Sequence, residues 1–299
     1  MYEEINNYCR EKGWVFHVLL MSETEPNRHW NYEDYKTTYT TLLKKIVIVR
    51  SNYTSGFISS DLKKRLIDIQ PNIVIAGGAY IMLPVLQSIF YKKQLGYKLF
   101  FWSESNLLKR EKISFLKSFF REIVRRNIYK LFDGFWNAGR YSNDFINKYK
   151  KKNVPSFFMP NLIDSNFFYG ALNICEADKE RIKREHKIDK SGKIILSPAR
   201  LSYEKGLLEF LDIYADSNEK RNAVLLIVGD GPLRIEIENK IRTIAADIRL
   251  LGYKNQEEIL DSVFCLRYFS ITIQYRSQSF IMYRGVTCRA TIINKRTCR

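Results

Sequence analysis

Short apolar runs alternate along this chain with longer stretches whose apolar positions recur every three to four residues, the pattern of a parallel sheet whose strands are joined by helices. The runs predict strands at Trp14–Leu20, Lys45–Val49, Ile73–Ala76, Lys98–Trp102, Gly134–Asn137 and Ser156–Met159. Amphipathic spacing predicts helices at Ser60–Ile69, Tyr80–Tyr91 and Ile113–Phe132. A charged helix, Glu176–Lys190, opens a second series, with strands at Ile194–Ser197, Ala223–Val228 and Ile248–Leu251 and helices at Gly206–Tyr214, Pro232–Ile244 and Gln256–Val263. The alternation predicts an α/β protein of two Rossmann-like domains, 1–170 and 171–263, hinged near Phe168–Asn173.

Both ends depart from that pattern. Tyr2–Lys12 reads as a helix ahead of a strand, without the strand and glycine-rich turn that open a doubly wound sheet, so an N-terminal truncation is expected. From Ser262 onward there is no Asp or Glu, while Arg267, Arg276, Arg284, Arg289, Lys295, Arg296 and Arg299 accumulate with three of the five cysteines. No helical or two-residue period continues there. A frameshifted tail over 264–299 would read this way, and a true basic tail for an anionic partner is the alternative.

A length of 299 residues with 45% hydrophobic and 27% charged residues suits two soluble domains with cores of their own. The formal charge of +17 calls for an anionic partner, whether nucleic acid, a membrane surface or phosphorylated small molecules. The cations are dispersed and no helix-turn-helix, zinc-finger or RNP-type sequence is present, which argues against nucleic acid. No apolar run reaches the roughly 18–20 residues of a membrane span, and MYEEINNYCREKGW lacks an apolar leader, so a cytoplasmic location is expected. Cys9, Cys175, Cys265, Cys288 and Cys298 show no CxxC or metal-ligand spacing and read as reduced thiols. His17, inside an apolar run, reads as a core histidine.

The candidate chemistry concentrates in Ser197–Tyr214, SPARLSYEKGLLEFLDIY. A strand ends at Ser197, a loop presents Arg200 and Lys205, and Gly206 admits the chain into a helix. Two cations and a helix N-terminus at a strand end can hold a diphosphate, Arg through its fixed fork and Lys as a movable charge. LLIVGDGP, Leu225–Pro232, runs a buried strand into a Gly-Asp-Gly-Pro turn, with Pro232 fit for the first helical position. IRLLGY, Ile248–Tyr253, ends another strand in glycine, and Asn255 with Glu258 three residues on forms a capping-box pattern.

In this order and spacing the segments resemble the donor-binding domain of the family 4 (group 1) retaining glycosyltransferases. FFMPNLIDSNFF, Phe157–Phe168, resembles the family's Pro-Asn-x-(Val/Ile)-Asp element, and WSESN, Trp102–Asn106, ends a strand in the carboxylate Glu104. The resemblance covers about residues 1–263 and is strongest over 194–263. It implies the GT-B fold, two Rossmann-like domains facing a cleft, here with both domains incomplete. It implies Arg200 and Lys205 as ligands of the donor diphosphate, with Gly206, Gly229 and Gly231 as donor-cleft backbone positions. Gly252 and Tyr253 would lie near the nucleoside base. Glu104 is a candidate to orient the acceptor, with a plain solvated strand-end carboxylate as the alternative. The partners implied are a nucleoside diphosphate sugar and a glycan or polyprenyl-linked acceptor of cell-surface polysaccharide synthesis. No metal and no cofactor are expected. The family's Glu-x7-Glu element should follow the Gln256–Val263 segment, but no Glu occurs after Glu258, so an inactive remnant is the alternative. A basic nucleic-acid-binding protein is the alternative from another class.

In the predicted helix Ile113–Phe132, Phe115, Phe119, Ile123, Ile128 and Leu131 form an apolar stripe, and Lys117, Arg121 and Arg125 recur along another face. The expectation is that the stripe packs inward while the basic face rests on an anionic membrane surface, with a solvated basic face on an ordinary helix as the alternative.

Overall fold

The computed structural model describes residues 2–23, 32–50, 55–107, 114–160, 184, 193–221, 223–255, 258 and 268–269. The chain divides into two compact units, Met1–Ile163 and Asp164–Arg299.

In the first unit, helix α1 (Tyr2–Glu11) precedes β1 (Val18–Leu20), β2 (Thr40–Leu42), β3 (Lys45–Arg50), β4 (Ser55–Ser59) and α2 (Leu62–Ile69). A strand–helix alternation follows, β5 (Ile73–Ala76), α3 (Leu83–Leu95), β6 (Lys98–Ser103), α4 (Phe115–Tyr129), β7 (Gly134–Asn137), α5 (Arg140–Tyr149) and β8 (Ser156–Phe158). Strands β5, β6, β7 and β8 lie side by side in that order, all parallel, with Phe101 opposite Phe135. Alternation on β6 buries Leu99, Phe101 and Ser103, and the first two pack with Tyr129, Phe132, Phe135, Phe145 and Tyr149 in one core. Tyr129 lies within 6.0 Å, ring centre to ring centre, of Phe101, Phe135, Phe145 and Tyr149. Asp133 ties three elements together. Its carboxylate accepts from Lys92 Nζ at the end of α3 and from the Leu99 N–H, both at 2.8 Å. Burial by itself raises this carboxyl, but those two donors outweigh it and hold its pKa below the ordinary value.

Several expectations change here. Val18–Leu20 alone is extended in the first predicted strand, because pairing with β2 begins at Val18, and Trp14, Val15 and His17 are exposed. The run at Lys45–Val49 was expected to be a parallel strand. It pairs antiparallel with β4, Ile46 opposite Ile58, and leaves Ile46, Val47 and Ile48 exposed, since an apolar run reveals a strand but not its partner. On α4 the stripe does not pack inward: Phe115, Phe119, Ile123 and Leu131 are exposed. Nor is Arg125 part of a solvated face. Its guanidinium lies over the rings of Tyr80, Phe145 and Tyr149, at 5.4, 4.9 and 5.1 Å. A cation can be half-buried this way because aromatic faces replace part of its water.

The second unit contains β9 (Lys193–Pro198), α6 (Leu207–Asp216), β10 (Ala223–Val228), α7 (Arg234–Thr243), β11 (Ile248–Gly252) and β12 (Tyr268–Phe269). The strands are ordered β11-β10-β9-β12 and all pairings are parallel. Central β10, AVLLIV, is buried throughout, as a parallel strand covered on both faces must be. Leu225 and Ile227 join Leu207, Leu211 and Ile237 of the helices in one cluster, and Val224, Leu226 and Val228 join Ile194 and Leu196 in another. Strand β12 comes from the tail, with Tyr268 paired to Ile195 and Phe269 to Leu196. Apart from Arg184 and Glu258, the predicted helices Glu176–Lys190 and Gln256–Val263 lie outside the described residues, as do the Asn-x-x-Asp part of the domain-crossing element and most of the tail.

Candidate functional site

The sheet of the second unit runs outward from β9 to β10 and β11 and returns with β12 on β9's other side, so β9 marks a switch in strand order. Ligands of open α/β sheets bind at the carboxyl ends of strands beside such a switch. Pro198 is level with Val228, and Val228 with Gly252, so the loops leaving these strands share one edge.

Backbone hydrogen bonds join those loops. Ala199 N–H donates to Val228 O at 2.9 Å, Leu201 N–H to Asp230 O at 3.0 Å, Leu233 N–H to Leu201 O at 3.0 Å and Gly229 N–H to Gly252 O at 2.7 Å. This approach requires glycine. A Cβ on Gly229 would lie 2.0 Å from Ala199 O, and one on Gly231 would lie 2.4 Å from Leu201 O. Gly229 also has φ +144°, a conformation hostile to L side chains.

The joined loops hold Arg200 between two hydrogen-bonded neighbours. Leu201 is fully buried, whereas Arg200 is half-buried, and its Nε is enclosed without a hydrogen-bond partner among the described residues. Such a donor costs about 1–3 kcal/mol unless an acceptor meets it. Lys205, also half-buried, ends the tight turn Tyr203–Lys205, and Gly206 at φ 66° passes the chain into α6. The first N–H groups of α6 have no acceptor within the helix. Arg200, Lys205, Gly206, Gly229, Gly231 and Gly252 thus belong to the loops of one sheet edge, with Tyr253 exposed beside them.

Arg234, in the first turn of α7, escaped the sequence reading. Its NH1 lies 3.6 Å from Asp230 Oδ2 and would be 3.7 Å from a Cβ on Gly252, which adds a third cation to this edge. Its position two residues after the Gly-Asp-Gly-Pro turn was the available signal. The predicted capping box is present: Asn255 N–H donates to Glu258 Oε2, and Glu258 N–H to Asn255 Oδ1, each at 2.8 Å. Among the described residues no cluster of His, Cys, Asp and Glu is placed to hold a metal ion.

Glu104 belongs to the first unit, one residue beyond β6, with its side chain exposed. The strand end below it is firmly held. Ser103 is buried, its carbonyl accepts from Ser142 Oγ, and its Oγ accepts from Ser105 N–H at 3.2 Å.

Comparison with known proteins agrees with this architecture. The family described as "Glycosyl transferases group 1" matches residues 178–264, which include the joined loops. A search among curated proteins returns no match. Among solved structures, the Anabaena protein Alr3699/HepE in complex with UDP aligns with TM-score 0.55 at 14% identity, over 70% of this chain and 55% of that one. Sucrose-phosphate synthase from Thermosynechococcus elongatus aligns with TM-score 0.60 at 12% identity, over 89% of this chain and 67% of that one. An α,α-trehalose 6-phosphate synthase from Burkholderia multivorans aligns with TM-score 0.53 at 13% identity, over 70% and 53%. At these identities the likeness establishes fold: an α/β architecture of the two-lobed GT-B kind. The chain spans about half the length of the Anabaena and Burkholderia structures.

Proposed function

We propose that this chain provides the acceptor-side domain, 1–170, and the donor-side domain, 171–263, of a retaining glycosyltransferase. It would move a sugar from a nucleoside diphosphate sugar to a hydroxyl of a glycan or polyprenyl-linked glycan. We assign it to cell-surface polysaccharide synthesis in the cytoplasm, at the inner face of the membrane. The observation that carries the donor assignment is Arg200, whose enclosed Nε lacks an acceptor among the described residues at the carboxyl edge of a parallel sheet. The sugar's C1–O bond to the diphosphate breaks as the acceptor oxygen bonds to C1 on the same face, negative charge gathers on the leaving diphosphate, and the hydroxyl's proton passes to the departing phosphate oxygen. Arg200 and Lys205 neutralise that charge, and the α6 N-terminus behind Gly206 adds its N–H groups. Gly229 and Gly231 keep the edge free of side chains, Gly252 and Tyr253 flank the base, and Glu104 orients the acceptor hydroxyl. The Anabaena protein with UDP or UDP-glucose bound supports UDP-glucose as the first donor to try.

A second reading, binding without turnover, is favoured by the absence of any glutamate after Glu258. Calorimetric titration with UDP and UDP-glucose tests both. We expect Arg200→Ala to weaken UDP about ten- to a hundredfold, the loss of a charge-assisted contact, and Glu104→Gln to leave UDP affinity unchanged while slowing transfer. Binding with no release of UDP from UDP-glucose selects the second reading. If neither nucleotide binds, or Arg200→Ala binds as well as the parent, both readings fail.

A further inference from the structure

Among the described residues, helix α4 is held to its unit along one side. Glu122 accepts from Tyr149 Oη at 2.7 Å, Arg125 NH1 donates to the same hydroxyl at 3.1 Å, and Tyr129 is fully buried. These anchors lie in the second half of the helix. Every residue from Ser114 to Arg121 is exposed, among them Phe115 at 82%, Leu116 at 65%, Phe119 at 53% and Phe120 at 63%. Ile123 and Val124, also exposed, continue the same sector. At about 100° per residue, Phe115, Phe119, Ile123, Leu116, Phe120 and Val124 sweep roughly half the circumference, on the side opposite Arg125 and Tyr129.

The charges beside this sector have one sign. Lys117 and Arg121 are exposed along one side of it, and Arg126 and Lys130 are exposed in line with it beyond its C-terminal end. Glu122, the acid of the helix, engages Tyr149, Arg126 and Lys148. We propose that α4 is a monotopic membrane anchor that lies in the interface of an anionic bilayer, with Phe115, Leu116, Phe119 and Phe120 among the acyl chains and Lys117, Arg121 and Arg126 at the phosphates. This reverses the face expected from the sequence: the apolar side enters the lipid and the basic residues border it. The apolar sector is about 14 Å long, and none of the described helices is long and apolar enough to cross a membrane, so α4 rests in the surface. Lipid is favoured over a second copy of the chain because two such faces would bring together rows of cations with no anion between them. The inference deepens the membrane-side location proposed above and is independent of the donor chemistry.

The test is flotation of the full chain with vesicles of phosphatidylcholine alone and of equal parts phosphatidylcholine and phosphatidylglycerol, with UDP titration on the same preparation. We expect binding to the mixed vesicles that weakens with salt. Replacing both Phe119→Ser and Phe120→Ser should lower partitioning about tenfold or more. Reversing Lys117→Glu and Arg121→Glu should abolish the preference for phosphatidylglycerol. Phe119→Trp should add fluorescence that acyl-brominated lipid quenches. All these side chains are exposed, so each variant should keep the parent's thermal transition. Equal flotation by the double-serine variant, no preference for the anionic vesicles, or a dimer in solution that the double-serine change dissociates would each overturn the proposal. UDP binding retained without flotation removes the anchor alone, and flotation without UDP binding removes the donor reading alone.

Discussion

Replacing Gly229 by alanine tests whether close approach of the loops after β9 and β10 shapes this edge of the sheet. Two costs combine at this position. Its φ of +144° is one that L residues rarely adopt, worth about 1–3 kcal/mol. The new Cβ would sit 2.0 Å from Ala199 O, with the Ala199 carbonyl carbon at 2.9 Å, and overpacking typically costs about 1–3 kcal/mol more. The sum, roughly 2–6 kcal/mol, is a large share of the about 5–15 kcal/mol that holds a domain together. Two neighbours separate the terms. Gly231→Ala carries the overlap alone, with backbone atoms of Leu201 at 2.4 and 2.9 Å, and Gly252→Ala carries the φ of +74° with its nearest atom at 3.7 Å. The order of destabilisation should therefore be Gly229 first, then Gly231, then Gly252. Trp14, Trp30, Trp102 and Trp136, all the tryptophans of the chain, lie in the first unit, so fluorescence in urea is an internal control that should not move. The second unit is read by hydrogen exchange of the β10 amides, which should accelerate about thirtyfold or more in Gly229→Ala. Exchange within a factor of two of the parent, or a Gly252→Ala variant less stable than Gly229→Ala, would refute the reasoning.

Other predictions concern pH and ion pairing in the first unit. Because Asp133 has a lowered pKa, its contribution is present above the ordinary carboxylate range and is lost as pH falls through the folded value. Asp133→Asn should cost about 1.5–3 kcal/mol at neutral pH and flatten the acid limb of tryptophan-detected urea midpoints; an unchanged limb would exclude that role. At the other extreme, burial raises Tyr97 and Tyr129 from 10.0 to about 12. The unfolded chain loses these protons first, so stability should fall as pH rises from 10 toward 12, and a double replacement by phenylalanine should remove that fall in alkaline titrations followed at the tyrosinate band.

How much of this was legible beforehand depends on what each element needed from elsewhere. Ile73–Ala76, Gly134–Asn137 and Ala223–Val228 are strands with the residues expected. Each is a short apolar run whose turn signals are local, which marks it as a strand whether it lies at the edge of its sheet, as β5 does, or inside it. The joining of the loops after β9 and β10 was legible for a related reason. Glycine at 229 and 231 answers a local backbone demand, and Arg200 and Lys205 stand in the loop that meets it. Helix α5 went unread although Ser142, Phe145, Ile146 and Tyr149 have helical spacing, because polar residues surround so narrow a stripe. Strand β2 is short and threonine-rich, and β12 is held by its pairing to β9 from distant sequence.

Helix α4 shows what periodicity leaves open. The apolar and basic positions were identified correctly, yet amphipathicity defines two faces without saying which of them the protein covers. That choice is made by long-range partners. Tyr80, Phe145 and Tyr149, from the segment before α3 and from α5, create a place where a guanidinium is better sheltered than a phenyl ring. Arg125 and Glu122 therefore turn inward, and rotation of a rigid helix forces Phe115, Phe119 and Ile123 outward with them. An exposed apolar sector costs stability in water. Its persistence beside exposed Lys117, Arg121 and Arg126 is what makes a lipid surface the physically consistent environment for this face.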